Sequence, residues 1–397
     1  MNKGWKNYKL NELIEYKNGL WAGKKSPFTS VKVIRSTEFN DDGTYNLETA
    51  KELEVESSKL KERTIKPSQI LLERSGGGEN KPVGRVIVFK DDVKDNVYSF
   101  SNFTTLLIPK ESIVYPKFLF YYLHFFYTSG QTNYYQKAMI GIRNLEFKRY
   151  LQQEISVPFK NNQPDLAEQR RITDKIDKLF AEVERGEAKV NSSLGYINRL
   201  FNSELQKLFK RSSNETWKEV PLVDLIDQKA KYNIGKIQKT EYKIEGKFPI
   251  IDQSQDFIAG YSDDEKLAYS GKLPVVIFGD HTLITKLVNF RFIQGADGIK
   301  ILIPKNDVSS EFLLYLIESN KPKSKGYTRH FKKLKEIIYS IPMKDGLPDK
   351  IEQARLANKM SNIKNQVGEL MKNYNEQLNN FSLLCQSALN QAFVGKL

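Results

Sequence analysis

The feature that most constrains this chain is a long internal repeat. An X-Pro segment runs twice into the same motif and then into a long amphipathic stretch, as VPFKNNQPDLAEQRRI at 157–172 and IPMKDGLPDKIEQARL at 341–356. Glu168 matches Glu352 at an offset of 184 residues, and this offset holds through the whole stretch that follows. A repeat without insertions predicts two helices whose length matters to the molecule.

Apolar residues in both copies largely keep the alternating three- and four-residue spacing of a coiled-coil seam. The predicted seam residues are Ile172, Ile176, Leu179, Val183, Leu194 and Ile197 in the first copy, and Leu356, Met360, Ile363, Val367, Leu378 and Phe381 in the second. We therefore expect each helix to bury one face along most of its length.

The remainder of each half repeats more loosely. Trp5-Lys6 recurs as Trp217-Lys218, 212 residues later, and the IPK run at 108 recurs at 303, 195 residues later. Offsets that shrink from 212 to 184 indicate a shorter second globular part. We predict an α+β chain with a pseudo-two-fold internal repeat. Its two α/β domains, 1–160 and 213–346, alternate with two long helices in 161–212 and 347–397.

The net charge of the chain favours a polyanionic partner but does not by itself identify one. The 397 residues carry a net charge of +14 and a pI near 9.3, with lysine and arginine spread through both halves. Such a basic surface suits a long polyanion, although a high pI is also compatible with a solubility trait alone.

The sequence also bears on the compartment. Cys385 is the single cysteine, lies on the predicted seam, and is consistent with a reducing compartment. No Cys/His cluster has metal-ligand spacing, no apolar run is long enough for a bilayer, and the N-terminus lacks a signal-peptide core. We expect a cytoplasmic protein without a membrane segment.

A glycine-rich loop is the main candidate for binding in the first domain. The sequence predicts short strands at 31–35, 69–73, 84–89 and 104–108 and a helix from about Pro116 to His124. The loop ERSGGGENKPVGR at 73–85 joins two of these strands, and its three glycines allow close backbone approach to another molecule. It lacks the ending of a nucleotide-binding motif, so a flexible turn and a DNA-contacting loop both remain open.

A polar turn is the corresponding candidate in the second domain. A buried strand is predicted at 275–278, then the turn 279–282, then another strand or hairpin within 283–292. Asp280 and His281 could belong to a catalytic triad. However, the sequence has no serine or cysteine in a nucleophile-elbow motif here, and the side chains of adjacent residues seldom face one another. Hydrogen bonding to base edges suits this turn at least as well.

Machinery for modifying or cutting DNA is not evident in the sequence. There is no Asn/Asp-Pro-Pro-aromatic motif for adenine methylation, no glycine-rich methyl-donor loop and no Walker A motif. DDVK at 91–94 and DDEK at 263–266 could mimic part of a nuclease site, but each lacks a convincing upstream partner. We interpret both as surface charges and expect any chemistry on another chain.

Together these features resemble the specificity subunits of type I restriction and modification enzymes. The likeness rests on PDLAEQRRI and PDKIEQARL at the helix starts, GDHT and GADG in the second domain, and ALNQAFVGKL at the C-terminus. It covers essentially the full chain. In that family each globule is a target-recognition domain that binds one half of a split, asymmetric DNA site. The two helices pack antiparallel as a spacer that fixes the gap.

The resemblance also implies the partners. They are double-stranded DNA, two adenine methyltransferase subunits and two motor-nuclease subunits, with no membrane. S-adenosylmethionine, ATP and Mg²⁺ would be bound by those subunits, and this non-catalytic chain would hold no cofactor. The seam residues would join the helices, while the opposite helix faces would dock the methyltransferases.

The residues that we predict to contact DNA are polar groups, mostly in loops beside a strand or a helix start. They are Arg74, Ser75, Gly77, Lys81 and Arg143 in the first domain, and Gln253, Ser254, His281, Lys286 and Arg329 in the second. Gly77 would act through its backbone. Arg143 and Arg329 stand out because they hold similar places in the two repeats.

Three alternatives remain open from the sequence. The chain could serve another methylation-dependent defence system as its specificity subunit. It could instead be a metal-dependent nuclease that uses the carboxylates of 91–94 and 263–266. The third alternative is a coiled-coil scaffold that binds only protein. Both the nuclease and the scaffold leave the double repeat poorly explained.

Overall fold

The computed structural model describes residues 4–20, 25–78, 81–90, 97–139, 142–210, 216–295, 298–323 and 328–394. The chain divides into two compact units. Unit 1 holds Met1–Lys189 and Gln377–Leu397, and unit 2 holds Val190–Glu376. Each unit therefore combines one globular part with the start of one long helix and the end of the other.

Unit 1 contains thirteen of the described strands. They are β1 Trp5–Lys9, β2 Ile14–Asn18, β3 Phe28–Ile34, β4 Lys51–Glu56, β5 Ile70–Glu73, β6 Ser75–Gly77, β7 Val86–Val88, β8 Tyr98–Phe100, β9 Thr104–Pro109, β10 Gln136–Met139, β11 Ile142–Leu145, β12 Glu154–Lys160 and β13 Gln163–Pro164. The largest sheet has the order β2-β9-β5-β7, and the smaller ones are β4-β3-β8, β10-β11-β6 and β1-β12-β13.

The helices that belong to or begin in unit 1 surround these sheets. They are α1 Leu10–Leu13, α2 Ser57–Leu60, α3 Pro116–Thr128, α4 Phe147–Tyr150 and the long α5 Leu166–Phe209. Proline at the first turn of α3 costs no hydrogen bond, since that N–H has no helical acceptor. The aromatic-rich face of α3 packs into the main core of the unit beside Leu72, Val86 and Leu107.

Unit 2 repeats this plan with fewer strands. They are β14 Trp217–Pro221, β15 Phe248–Ile251, β16 Gly260–Ser262, β17 Val275–Gly279, β18 Thr285–Val288, β19 Ile293–Gln294, β20 Ile299–Leu302, β21 Ile338–Lys344 and β22 Leu347–Pro348. Its helices are α6 Leu222–Leu225, α7 Ser310–Ser319, α8 Phe331–Lys335 and the long α9 Lys350–Phe393. The sheets are β18-β17-β20, β16-β15-β19 and β14-β21-β22.

The tight turn before each long helix explains part of the repeated motif. Asn161-Asn162 joins β12 to β13, and Asp345-Gly346 joins β21 to β22 at the same place in the repeat. All four residues have positive φ, between 49° and 79°. Two central residues with positive φ define the type I′ hairpin turn, which favours Asn, Asp and Gly. The sequence difference between the copies therefore preserves one backbone conformation.

The repeated glutamine fastens each long helix to its globular part. Gln169 and Gln353 are completely buried. Each side chain accepts the backbone N–H of the residue that precedes a helix, Tyr115 at 2.7 Å before α3 and Ser309 at 3.0 Å before α7. Each also donates to the carbonyl two residues earlier, at 3.1 and 3.0 Å. The glutamine thus supplies hydrogen-bond partners that a helix start lacks.

The neighbouring residues of the motif act locally. Asp165 and Asp349 precede the long helices and accept first-turn N–H groups, as N-cap residues do. Glu168 forms a two-fold hydrogen bond with Arg171 at 2.6 Å, and Glu352 forms the same pair with Arg355. These exposed pairs lie on the solvent side of the helix, opposite the buried glutamine.

The packing of the long helices can be followed inside each unit. In unit 1, Ile172 and Ile176 near the start of α5 share a core with Leu389 and Phe393 at the end of α9. A second set of helix residues does the same in unit 2, where Leu205, Leu208 and Phe209 share a core with Leu356 and Met360. The start of one helix lies beside the end of the other in both units, so the two helices are antiparallel.

The predicted seam residues lie on one face of each helix. Six are buried: Ile172, Ile176, Val183, Ile197, Leu356 and Met360. The other six are half-buried: Leu179, Leu194, Ile363, Val367, Leu378 and Phe381. The same face also contributes to the globular cores, since Ile172 and Met360 each belong to a core that includes residues of the globular part and of the other helix. The α+β fold class with two long helices is confirmed.

Candidate nucleic-acid interface

A small sheet brings separate candidate residues of unit 1 together. Strand β6, which follows Arg74, pairs with β11, so that Gly77 lies opposite Arg143 and Ser75 lies opposite Asn144. The Ser75 hydroxyl also hydrogen-bonds the Asn144 side chain. Four residues that were predicted from two distant segments, Arg74, Ser75, Gly77 and Arg143, therefore lie together at one small sheet, where Gly77 is buried and the other three are half-buried.

Gly77 is required by the close approach of the loop to itself. A Cβ atom at this position would lie 2.4 Å from the carbonyl oxygen of Lys81 and 2.8 Å from a methyl group of Val83. Gly78 and Lys81 exchange backbone hydrogen bonds at 3.1 and 3.2 Å. Lys81 itself is exposed at the loop tip, where a cation can meet a phosphate.

Arg74 is held in a fixed orientation at the base of this loop. Its guanidinium lies 4.5 Å from the ring centroid of Phe147 and donates to Asn18 Oδ1 at 2.9 Å. Partial burial lowers the pKa of Arg74 below its ordinary value, but arginine remains charged at neutral pH. A guanidinium oriented by stacking loses less conformational freedom when it binds a base edge or a phosphate.

Arg85, the third cation near the loop, has a structural role. It is buried and pairs with the carboxylate of Glu73 at 2.7 Å. It also donates to the backbone carbonyls of Ser36 and Phe39 at 3.0 and 2.8 Å. These bonds tie the β5–β7 hairpin to the neighbouring sheet, so Arg85 supports the loop from below.

A cleft of about 480 Å³ opens beside the first loop. Its lining includes Arg35, Thr37, Gly76, Asn102 and the partly exposed ring of Phe103. Guanidinium and amide groups can hydrogen-bond base edges, and an aromatic ring can stack on a base. Sequence reasoning missed these residues, because they come from three segments that no local pattern connects.

The candidate turn of unit 2 is held by the loop that carries Gln253. The Gln253 Oε1 atom accepts the backbone N–H of His281 at 3.2 Å, and its carbonyl accepts the Thr282 hydroxyl at 2.8 Å. Gln253, Ser254 and His281, predicted from separate segments, are thus brought together. Ser254 folds back on Asp252, to which its N–H and hydroxyl donate at 2.9 and 2.5 Å.

Lys286 lies beneath this loop. Only 4% of its surface is exposed, and its Nζ donates to the carbonyls of Asp252 and Asp256 at 2.8 and 2.6 Å. Burial lowers the pKa of Lys286, although the two nearby aspartates raise it. In this structure Lys286 positions the loop of Gln253 and Ser254 and does not present its charge to a groove.

Asp280 has a structural partner that explains its place beside His281. One carboxylate oxygen of Asp280 accepts the backbone N–H groups of His330 and Phe331 at 2.8 and 2.7 Å, at the start of α8. This bond holds the exposed Arg329 next to the turn. Asp280 therefore anchors the segment of Arg329 through its carboxylate.

The two candidate loops occupy equivalent places in the two units. Strand β5 lies between β7 and β9, and β17 lies between β18 and β20, so each loop closes a hairpin on the central strand. The carbonyl of Arg74 accepts the N–H of Leu145, and the carbonyl of Asp280 accepts the N–H of His330, both at 2.8 Å. The duplicated fold thus presents two matching polar and basic surfaces.

Comparison with known proteins decides the family. Residues 2–191 match the family described as the type I restriction modification DNA specificity domain. Residues 2–191 of this chain belong to that specificity family. The resemblance inferred from the repeated motifs is thereby confirmed, and the family is one of specificity domains and not of catalytic ones.

Curated relatives of this specificity protein align over part of their length. The specificity subunit of the type I restriction enzyme EcoBI of Escherichia coli is 25% identical over 224 residues, which are 54% of this chain and 43% of that subunit. The specificity subunit S.BcgI of the type II restriction enzyme BgcI of Heyndrickxia coagulans is 36% identical over 91 residues, 22% of this chain and 26% of that subunit. The matched part spans less than half of either relative.

Solved structures extend the fold likeness to the whole specificity chain. One, from a study of complex assembly and conformational transition of the type I R-M system, has a TM-score of 0.74 at 19% identity. It covers 99% of this chain and 98% of that one. The HsdS subunit of Thermoanaerobacter tengcongensis has a TM-score of 0.53 at 18% identity, with 99% and 97% covered. At such identity these likenesses establish the fold.

Two acidic residues of the segment 263–266 take part in ion pairs at the surface. No group of three or more His, Cys, Asp and Glu side chains in the described ranges could hold a metal ion. Asp263 pairs with Lys243 at 2.8 Å, and Glu265 pairs with Lys247 and Arg291, all at the surface. The segment 91–94 lies outside the described residues. Among the helices described, none is long and apolar enough to span a membrane.

Proposed function

We propose that this chain is the DNA-recognition subunit of a type I restriction and modification complex and binds a split, asymmetric DNA site. The observation that carries the proposal is the duplication of the candidate loops. Each unit presents polar side chains at the same place on its central hairpin, and an arginine lies on the neighbouring segment, Arg143 in unit 1 and Arg329 in unit 2. Their different residues would read different half-sites, since base edges are distinguished by donor and acceptor patterns.

The long helices would set the gap between the half-sites. Both have 44 residues, which at about 1.5 Å per residue extend for roughly 66 Å. This length approaches two turns of duplex DNA at about 34 Å per turn. The two helices have the same length although the globular parts differ, and a fixed gap between the half-sites requires a spacer of constant length.

The exposed faces of these helices would dock methyltransferase subunits. Tyr196 and Leu200, one turn apart on α5, are 59% and 49% exposed. Leu370, Leu383 and Leu384 are similarly exposed on α9. Large apolar groups on an otherwise polar helix favour contact with another protein. In this proposal two methyltransferase subunits bind here and two motor-nuclease subunits join the complex, all in the cytoplasm.

Catalysis would then belong to other chains. The partner subunits would bind S-adenosylmethionine, ATP and Mg²⁺, and this chain would supply the choice of DNA sequence. The likeness to S.BcgI favours a second candidate, in which the chain serves as the specificity subunit of another class of restriction enzyme. Identification of the chains that copurify with it separates the two candidates.

Selection of bound DNA from a random duplex library tests the proposed function. The full chain, bound to its methyltransferase, should enrich two half-sites separated by a gap of constant length. Binding should weaken steeply with salt, because phosphate contacts release counterions. A protein scaffold would enrich no sequence, and a nuclease would cleave the library when Mg²⁺ is added to the purified chain alone.

A further inference from the structure

Two short helices carry exposed cations at matching positions beside the candidate loops. Helix α4 begins at Phe147 and helix α8 begins at Phe331, 184 residues later, which is the offset of the long helices. The exposed cations are Lys148 and Arg149 in α4, and Lys332 and Lys333 in α8. We propose that these four residues form two equivalent phosphate clamps, one for the DNA backbone at each half-site, which rests on the proposed function.

The apolar residues of these helices fix the outward direction of the cations. Phe147 and Tyr150 are buried in the main core of unit 1. In unit 2, Leu334 is buried and Phe331 packs against the corresponding core. Residues three apart lie on the same helix face, so the two positions between them must face away from the core. The outward cations are therefore a consequence of the fold in both units.

Contacts with the candidate loops place the clamps beside them. The guanidinium of Arg74 stacks on the ring of Phe147, with Cζ 4.5 Å from the ring centroid. In unit 2, the backbone N–H of Phe331 donates to Asp280 at 2.7 Å, and Asp280 precedes His281 in the candidate turn. A duplex whose base edges meet these loops would bring its phosphates near the following residues of α4 and α8.

The clamp of unit 2 has the stronger positive field. From Asn320 to Glu336 the sequence contains seven Lys or Arg residues and a single acidic residue, Glu336. In unit 1, by contrast, Arg149 is paired with Glu146. The equivalent position in unit 2 is His330, which is buried and brings no acidic group. Lys332 and Lys333 should thus bind phosphate more strongly than Lys148 and Arg149 do.

Contacts of this kind position DNA but carry no base information. Their loss should weaken all DNA binding and leave the recognised sequence unchanged. Each phosphate contact contributes about 0.9 to the slope of log affinity against log salt concentration. The salt slope therefore counts the contacts that a substitution removes.

The test compares two double variants of the full chain bound to its methyltransferase. They are Lys148→Ala with Arg149→Ala, and Lys332→Ala with Lys333→Ala. The probes are a 50-base-pair duplex that contains the selected site and one of equal length with scrambled half-sites. The unit 2 variant should lower the salt slope by about two on both probes. The unit 1 variant should lower it by a smaller amount, because Glu146 already neutralises part of the Arg149 charge.

A matched control removes the same charge elsewhere. Lys66 and Lys90 are exposed at the end of the β5–β7 hairpin away from the candidate loop, so Lys66→Ala with Lys90→Ala changes the net charge equally. This control should keep the wild-type salt slope. A fall in slope equal to that of the clamp variants would mean that total charge, and not position, sets the affinity. That result would overturn the clamps.

The outcomes separate the clamps from the proposed function. If the wild-type complex binds no DNA, the proposed function fails and the clamps fail with it. If it binds a split site but both clamp variants keep the full slope, only the clamps are overturned. A change in the selected sequence would assign the four residues to base contact and would likewise contradict the proposal.

Discussion

At the scale of residues, Gln169 offers a sharp test of how each long helix is fastened. Gln169→Ala removes a buried acceptor and donor, and leaves the N–H of Tyr115 and the carbonyl of Ile113 without partners. A buried unsatisfied group costs about 1–3 kcal/mol, so we expect the free energy of unfolding to fall by roughly 2–4 kcal/mol. Urea unfolding measures this change.

The adjacent Glu168 supplies the control for this substitution. Its pair with Arg171 is largely exposed, and such pairs contribute at most about 1 kcal/mol. Glu168→Ala should therefore have a small effect. Equal losses from both substitutions would contradict a special role for the buried glutamine.

The buried His124 should make the stability of the folded chain depend on pH. Burial lowers the pKa of its imidazole to about 4 from the ordinary 6.5, although Asp42 raises it. Between these values the unfolded chain binds more protons than the folded one, so stability falls as pH falls. The contribution is complete above about pH 6.5 and reduced by about 2 kcal/mol at pH 5.

Urea unfolding at pH 7.5 and pH 5 tests the His124 prediction. His124→Gln removes the titrating group, so the loss between the two pH values should shrink by about 2 kcal/mol in the variant. An unchanged pH dependence would show that the imidazole binds its proton in the folded state as readily as in the unfolded chain.

Several residues that the fold brings together could be identified from the sequence, but the structural role of each one could not. Ser75 and Arg143 lie in different segments, and their closeness depends on β6 pairing with β11. No pattern in either segment encodes that pairing. Lys286 was expected to reach DNA from the strand or hairpin within 283–292, whereas it is buried because residues 252–256 pass above it. Whether any of these residues touches a base remains a prediction.

At the scale of elements, two helical glycines test how tightly the long helices pack. A Cβ atom at Gly186 of α5 would lie 2.6 Å from the ring of Phe381 on α9, whereas one at Gly368 meets open space. Alanine favours a helix over glycine by about 1 kcal/mol. Gly368→Ala should therefore stabilise the protein by about 0.5–1 kcal/mol, while crowding in Gly186→Ala should outweigh that gain.

Removal of the Phe381 ring provides the control for Gly186. In a Phe381→Ala background, Gly186→Ala should become stabilising, because the ring that it would crowd is absent. A thermodynamic cycle of the single and double variants measures this coupling. Additive effects would contradict direct packing of residue 186 against residue 381.

The length of the helices should control the gap of the recognised site. Deletion of seven residues from the middle of both α5 and α9 keeps the seam in register and shortens each helix by about 10 Å. We expect the gap to shrink by about three base pairs at about 3.4 Å each, with both half-sites unchanged. Altered half-sites at a constant gap would contradict the spacer role.

Elements with a strong periodic pattern were predicted well from the sequence. The strand expected at 69–73 is observed as Ile70–Glu73, and the one at 104–108 as Thr104–Pro109. The helix expected from about Pro116 to His124 is observed as Pro116–Thr128. The strands β10 and β11 were missed, because their segment shows no clear alternation of apolar and polar residues.

At the scale of the whole molecule, duplication connects the fold to the proposed function. Each unit has its own core, its own central hairpin and its own polar surface, while both draw on the same two helices. Such a chain can vary one recognition surface without disturbing the other. The duplicated helix could be predicted from sequence alone, because a constant offset is visible without knowledge of tertiary contacts.

The most direct test of this account is a map of DNA methylation in living cells. The chain would be expressed with the adenine methyltransferase of its own complex in a host without that modification, and methyladenine mapped by long-read sequencing. We expect a new motif made of two different half-sites with a gap of constant length. A contiguous motif, or no new methylation although the two chains form a complex, would contradict the central claim.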